Sequence, residues 1–149
     1  ELVKLNDSVK LILIGEGPLE QELKSLVLKK NLNEKIIILP FKSNISDYFQ
    51  AFDLFVLPSL FEGLPVVGVE AQYSGLKCIF SDTITKEIGT NSSEFLSLKD
   101  SAANWAIQIN ESLNDFNERS RVDVIDEMNK KGFNILAATK KLERIYFEL

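Results

Sequence analysis

Three observations predict an α/β fold built on a parallel, doubly wound sheet. Short, nearly continuous apolar runs stand at residues 9–14, 36–39, 54–57 and 78–80, and strands of that kind are covered on both faces. The segments between them carry apolar residues at helical spacing, which supplies the crossover helix that each parallel strand pair needs. Three of the four runs stop at Gly15, Pro40 or Pro58, as strands that end in a turn do. With 149 residues, 45% hydrophobic and 26% charged, residues 1–149 amount to one domain.

The elements follow in order. Glu1-Leu2-Val3-Lys4-Leu5 is helix-like, and an opening without Met is expected of a piece of a longer polypeptide. Residues 9–14 form the first strand. Pro18 then suits a first helical turn, Glu20 and Glu22 favour its positive end, and Leu19, Leu23, Leu26 and Val27 make a stripe that carries the helix to about Asn31. Residues 36–39 are the second strand, 45–52 a short helix, 54–57 the third strand, and 65–74 a helix closed by Gly75. Residues 78–80 and 94–98 make the fourth and fifth strands. Asp100 is expected to cap a long helix with Trp105, Ile109 and Leu113 on one side. Residues 119–131 form a helix ended by Gly132, and Asn134 starts a last one through Leu136, Leu142, Ile145 and Tyr146, so the C-terminus is helical.

Composition excludes whole classes of function. One cysteine, Cys78, cannot close an internal disulfide, and with no histidine the chain contains neither a Ser-His-Asp triad nor an imidazole metal site. No Asp-x-Asp pair follows a strand, so no metal is expected. A net charge of −5 with scattered Lys and Arg makes no basic patch, and no nucleic-acid partner is expected. The apolar runs fall far short of the roughly 20 residues that span a bilayer. Cys78, within a strand, reads as a small core residue, and Trp105 as core rather than a sugar platform. Lys130-Lys131 and Lys140-Lys141 read as solvated faces; an anionic membrane surface is the other use for them.

Ligands of open parallel sheets bind beyond the carboxyl ends of the strands. The segments to search are therefore 15–18, 40–44, 58–65 and 81–85. The most informative is Leu57-Pro58-Ser59-Leu60-Phe61-Glu62-Gly63-Leu64-Pro65-Val66-Val67-Gly68-Val69-Glu70. Glu62 precedes a helix and Glu70 lies inside it. The free amides of that helix start, at Leu64, Val66 and Val67, make an anion site that suits a phosphate. Glu70 lies roughly 7.5 Å along the axis from Pro65 at 1.5 Å per residue, among apolar neighbours, where a carboxylate is expected to need partners such as a pair of ribose hydroxyls. Taken singly, each acid reads equally as an ordinary surface carboxylate. Gly15 and Gly17 alone are weak evidence, since any strand-to-helix turn favours glycine. Glu20 replaces the third glycine of a dinucleotide fingerprint, which argues against NAD.

Taken together, this segment resembles the Glu-x7-Glu signature of the retaining nucleotide-sugar glycosyltransferases of family 4, which have the two-domain GT-B fold. Leu13-Ile14-Gly15-Glu16-Gly17-Pro18 looks like their strand and Gly-x-Gly-Pro turn, Asp53-Leu54-Phe55-Val56-Leu57-Pro58-Ser59 like the strand feeding the acidic loop, and Ser74-Gly75-Leu76-Lys77-Cys78 like the helix end and next strand. Ser81-Asp82-Thr83, Lys86-Glu87 and Trp105-Ala106 are similar to segments of bacterial enzymes that build exopolysaccharide and capsule. The resemblance covers about residues 9–113.

It implies a Rossmann-like, donor-binding C-terminal half of a GT-B enzyme. Such an enzyme transfers a hexose, with retention and no metal, from a nucleoside diphosphate sugar, here expected to be a UDP-sugar. Glu62 would meet the sugar hydroxyls as the catalytic acid residue, Glu70 the ribose, and the Leu64 amide the sugar. Gly63 and Pro65 shape the turn that leads to the Val66 and Val67 amides, which would meet the diphosphate. The loop Phe41-Lys42-Ser43 would hold the base, and Gly15, Glu16 and Gly17 would let chain and nucleotide approach closely. Where the family often has Gly after the second strand, Ser43 and Asn44 stand. The family's diphosphate-binding Arg and Lys, and the N-terminal domain that meets a glycan or lipid-linked acceptor, would lie upstream of residue 4. In the strand order 3-2-1-4-5-6 the first strand is then missing, between residues 9–14 and 54–57, leaving edges prone to self-association. A cytoplasmic enzyme of surface polysaccharide synthesis, peripheral to the inner membrane face, is implied. The same donor residues also fit a catalytically silent nucleotide-sugar module, or a sugar phosphorylase or epimerase. A signalling receiver domain fits less well, because Gly15-Glu16-Gly17 stands where its acidic cluster belongs.

Overall fold

A computed structural model describes residues 1–115 and 123–147. The elements are α1 (Leu2–Leu5), β1 (Leu11–Ile14), α2 (Glu20–Lys29), β2 (Ile36–Leu39), α3 (Ile45–Ala51), β3 (Leu54–Leu57), α4 (Val66–Tyr73), β4 (Lys77–Ser81), a single 3-10 turn (Lys86–Ile88), β5 (Ser93–Leu96), α5 (Ala102–Asn114), α6 (Ile125–Lys130) and α7 (Ile135–Phe147). All strand pairs are parallel. The fold is the Rossmann-like architecture expected of half a GT-B enzyme.

The strands form two separate sheets, β1-β2 and β3-β4-β5. These are the pairings of the order 3-2-1-4-5-6 with its first member left out, so β1 and β3 each keep an unpaired edge among the described residues. Strand lengths follow from the neighbours. Leu11 to Ile14 pair with Ile36 to Leu39, and because β2 starts at Ile36, Val9 and Lys10 have no ladder partner; the strand is shorter than residues 9–14. β5 likewise stops at Leu96, opposite Ser81 at the end of β4, rather than continuing to residue 98.

Three helices end in the same way. After α2, α4 and α6, the residues Asn31 (φ 54), Gly75 (φ 76) and Gly132 (φ 87) take left-handed backbone. Their amides donate to Leu28, Gln72 and Asn129, and the next amides, of Leu32, Leu76 and Phe133, donate to Val27, Ala71 and Met128. Each orphan carbonyl pair is thus satisfied and an apolar residue is turned back under the helix. α5 is capped by Ser101, whose hydroxyl accepts from the Asn104 amide at 3.2 Å, one residue later than the Asp100 cap expected from sequence. Asp100 is instead held in the preceding turn, its amide donating to Ser97. Of the helix expected at 119–131, residues 119–122 lie outside the described residues.

The core belongs to the three-stranded half. Phe49, Ala71, Leu76, Cys78, Phe80, Ile84 and Ile88 are buried together, and rings run edge to face from Phe49 through Phe55 to Phe80, at centroid distances of 5.8 and 6.4 Å, and on to Phe95 in a tilted contact at 5.6 Å. By contrast, β1, α2 and β2 bury no residue fully. The apolar stripe of α2 is largely open: Leu19, Leu23 and Leu26 are exposed and Val27 is half-buried. The physical reason is the split sheet, which leaves a two-stranded half too small to cover a helix.

Candidate donor-binding site

The site is built on α4. Its buried face is Gly68, Ala71 and Gln72, spaced three and four residues apart as one face of a helix requires. Gly68 packs so close that a Cβ there would lie 2.8 Å from both Ile88 Cδ1 and Phe80 Cε1. Gln72 is fully buried and uses its whole amide: Nε2 donates to the carbonyls of Gly68 (3.2 Å) and Ile88 (3.0 Å), and Oε1 accepts from the Thr90 hydroxyl at 2.6 Å. These contacts lock α4 onto β4 and the 3-10 turn, so the start of α4 has a fixed position.

At that start the amides of Gly68 and Val69 donate to the Pro65 carbonyl, at 2.9 and 3.3 Å. The amides of Leu64, Val66 and Val67 have no hydrogen-bond acceptor among the described residues. Three unpartnered donors at the positive end of a helix, with a local field of roughly half a charge, are groups that an anion could meet.

Glu62 approaches from the loop after β3. It is half-buried, and its Oε1 accepts from the Ser59 hydroxyl at 3.0 Å. Ser59 is itself held: its carbonyl accepts from Ser81 Oγ at 2.5 Å and from Thr83 Oγ1 at 2.8 Å. The loops after β3 and β4 are thus joined beside the helix start. Sequence reasoning gave Ser59, Ser81 and Thr83 no role of their own; the available signal was a hydroxyl residue, Ser81, directly ending the apolar run Cys78-Ile79-Phe80. Gly68 and Gln72 were missed because only their tertiary neighbours reveal why those residue types stand there.

Glu70 differs from expectation. It is exposed and forms no ion pair among the described residues. It lies opposite the Gly68-Ala71-Gln72 face, one turn beyond Val66 on the outer face, so it is not the buried carboxylate its apolar sequence neighbours suggested. Its carboxylate stays open to an outside donor of hydrogen bonds.

The remaining predicted residues gather on the other sheet. Pairing of Ile14 with Leu39 sets Gly15, Glu16 and Gly17 beside Phe41, Lys42 and Ser43, and the Gly15 amide donates to Leu39 at 3.1 Å. Gly15 takes φ 149, a conformation that disfavours a side chain. Phe41 is exposed. Among the described residues no hydrogen bond or ion pair joins these two loops to the loops around α4.

Other chemistry is lacking near the site. Among the described residues no group of three or more His, Cys, Asp or Glu could hold a metal. Cys78 is buried and burial pushes its thiol far above the usual range, which makes it a packing residue. Trp105 is half-buried rather than core, its Nε1 donating to the Ser97 carbonyl at 2.9 Å. It lines an open, mostly apolar cavity of about 370 Å³ with Leu2, Pro58, Leu98 and Ile109, which includes none of the predicted site residues. No helix among the described residues is long and apolar enough to cross a membrane.

Comparison with known proteins agrees with this layout. The family described as "Glycosyl transferases group 1" matches residues 1–126. EpsF of Bacillus subtilis (strain 168) is 43% identical over 99 residues, 65% of this chain and 26% of its own length. The UDP-Gal:alpha-D-GlcNAc-diphosphoundecaprenol alpha-1,3-galactosyltransferase of Escherichia coli is 31% identical over 154 residues, covering 96% of this chain and 38% of that protein. The chain therefore spans well under half the length of these relatives. Among solved structures, Anabaena HepE in complex with UDP superposes with a TM-score of 0.76 at 17% identity, over 95% of this chain and 41% of HepE. The lipopolysaccharide outer core galactosyltransferase WaaB does so with 0.72 at 19%, over 94% and 41%. These last likenesses are of fold. The sequence matches go further: the chain belongs to the group 1 glycosyl transferases.

Proposed function

We propose that this chain is the donor-binding half of a longer, two-domain glycosyltransferase. That enzyme moves a hexose from a UDP-sugar to a glycan or lipid-linked acceptor, with retained configuration and without a metal. One observation carries the reading: three unpartnered amides at the start of α4, flanked by Glu62 held in place on one side and Glu70 open to solvent on the other. Diphosphate oxygens suit the amides of Val66 and Val67, the sugar suits Glu62 and the Leu64 amide, and the adjacent ribose hydroxyls suit the two oxygens of Glu70. Base contacts fall to residues 41–43, with 15–17 allowing close approach.

UDP is favoured because HepE is described with UDP bound and a relative is named for UDP-Gal. Two relatives are named for diphosphoundecaprenol-linked sugars, which supports a lipid-linked acceptor, surface polysaccharide synthesis and an enzyme peripheral to the inner face of the membrane. A leaving diphosphate carries more charge than a helix terminus of roughly half a unit can offset. Cations and the acceptor wall must come from elsewhere in the longer enzyme, so these 149 residues transfer no sugar alone.

The test is titration of the isotope-labelled chain with UDP, followed by amide resonances. Shifts are expected at Val66 and Val67, and Glu70→Ala should weaken binding more than Glu70→Gln, because Gln keeps one acceptor for a ribose hydroxyl. Shifts confined to α5 around Trp105 would refute the assignment.

A further inference from the structure

We propose that Ser59 is a positioning residue that fixes the Glu62 carboxylate before the donor arrives, and that Ser81 and Thr83 hold Ser59 in place to do so. The inference rests on the reading of Glu62 as the group that meets the donor sugar. A serine three residues ahead of an acid is, alone, an ordinary loop contact. What distinguishes this one is a second layer of hydrogen bonds from another part of the chain.

The Ser59 carbonyl accepts from Ser81 Oγ and Thr83 Oγ1, 22 and 24 residues away, which occupies both of its lone pairs. The two hydroxyls also lie 3.0 Å from one another, so Ser81, Thr83 and the Ser59 carbonyl form one hydrogen-bonded cluster. Ser81 is fully buried, ends β4 and pairs with Leu96 of β5. The loop carrying Glu62 is therefore registered against the most buried strand of the protein. Ser59 has a single proton, and it goes to Glu62 Oε1 at 3.0 Å, a charge-assisted bond when the carboxylate is ionised. Three residues, Ser81, Thr83 and Ser59, thus connect the end of β4 and the turn after it to one oxygen of Glu62, and the other oxygen stays available to a sugar hydroxyl. Glu is among the side chains with most rotamer freedom to lose, and holding it in advance removes that loss from the catalytic step.

The experiment is steady-state kinetics of the full-length enzyme that contains this chain, with UDP affinity and thermal midpoint measured alongside. Ser59→Ala should lower kcat by about 10- to 100-fold, as for a lost hydrogen bond to a charged group, with UDP affinity changed by no more than about twofold. Ser59→Thr, which keeps the hydroxyl, should restore most of the rate. In a Glu62→Ala background, Ser59→Ala should have no further effect, because the two residues act as one unit. Thr83→Val, at an exposed position, should show a smaller loss of kcat that also vanishes in the Glu62→Ala background, and it decides the matter should Ser59→Ala fail to fold. Equal losses with and without Glu62, or no loss in either Ser59→Ala or Thr83→Val while Glu62→Ala is crippled, would overturn the positioning role alone. Unchanged kcat in Glu62→Ala would overturn the reading of Glu62 and this inference with it.

Discussion

Replacing Gly68 by alanine sets two known effects against each other. Alanine is the better helix former by about 0.8–1 kcal/mol, and at an open helical site Gly68→Ala would stabilise the protein. The site is not open. A Cβ would lie 2.8 Å from Ile88 Cδ1 and from Phe80 Cε1, and 3.1 Å from Phe80 Cζ, against 3.4 Å for the near limit of ordinary contact. Phe80 and Ile88 are fully buried, and Phe80 is wedged between Phe55 and Phe95, so neither neighbour can retreat by the missing 0.6 Å without disturbing others. Overpacking of this kind costs about 1–3 kcal/mol. The net expectation is a loss of up to roughly 2 kcal/mol, read as a lowered urea midpoint at unchanged slope. Since relief also comes from α4 lifting off β4, the amides of Val66 and Val67 should move, and UDP should bind more weakly. Gly17→Ala is the control: no atom lies within 4 Å of its added Cβ, and stability should change by no more than about 0.5 kcal/mol. A raised midpoint in Gly68→Ala would show that helix propensity outweighs packing here and that α4 is not pressed against the core.

Further outcomes are expected. In the full-length enzyme Glu62→Ala should lower turnover far more than UDP affinity, because contact with the sugar matters most as the glycosidic bond breaks; equal loss of UDP and UDP-sugar binding at normal turnover would refute its role. On the proposed metal-free reading activity should survive chelator, as no cluster of three or more acidic or other metal-ligating side chains stands among the described residues; abolition by chelator with rescue by manganese would contradict that. The 149-residue chain should show a weight-average mass that rises with concentration in sedimentation, because the free edges of β1 and β3 favour pairing; a monomer at all concentrations would argue that those edges are protected.

The alternation of strands and helices was legible because four strand runs are nearly continuous in apolar residues and three of them end at Gly or Pro. The boundaries that shifted did so for tertiary reasons: Val9 and Lys10 are strand-like in type, yet β2 has no residue to pair with them. The helix start at Pro65 and its free amides could be read from local sequence, since the peptide geometry of a helix end leaves them unpaired. The setting of Glu70 could not. Its neighbours Val66, Val67, Val69 and Ala71 are apolar on all sides in sequence, but burial of α4 is decided by Gly68 and Gln72, whose partners Ile88, Phe80 and Thr90 lie 12 to 20 residues later. The same holds for Ser59, where the partners Ser81 and Thr83 come from the next strand. The stripe on α2 was read correctly as apolar, and it stays open where the sheet is split, as the strand expected to be missing implies.

That split bears on how the site works. The anion-binding start of α4, Glu62 and its hydroxyl supports all belong to the half that owns the buried core. Residues 15–17 and 41–43 belong to a two-stranded half that buries nothing fully. Two-stranded units are marginal on their own, so the placement of this half depends on what pairs with the edges of β1 and β3. A strand set between them would join the two halves into one sheet and align all four loops along one edge, the arrangement in which open parallel sheets bind ligands. On the proposed reading, the part of the site that would meet the diphosphate is held by this chain's own core, while the placement of the part that would meet the base depends on what completes the sheet. Binding energy on α4 should accordingly be nearly independent of sheet completion, and discrimination between uracil and other bases should appear with it.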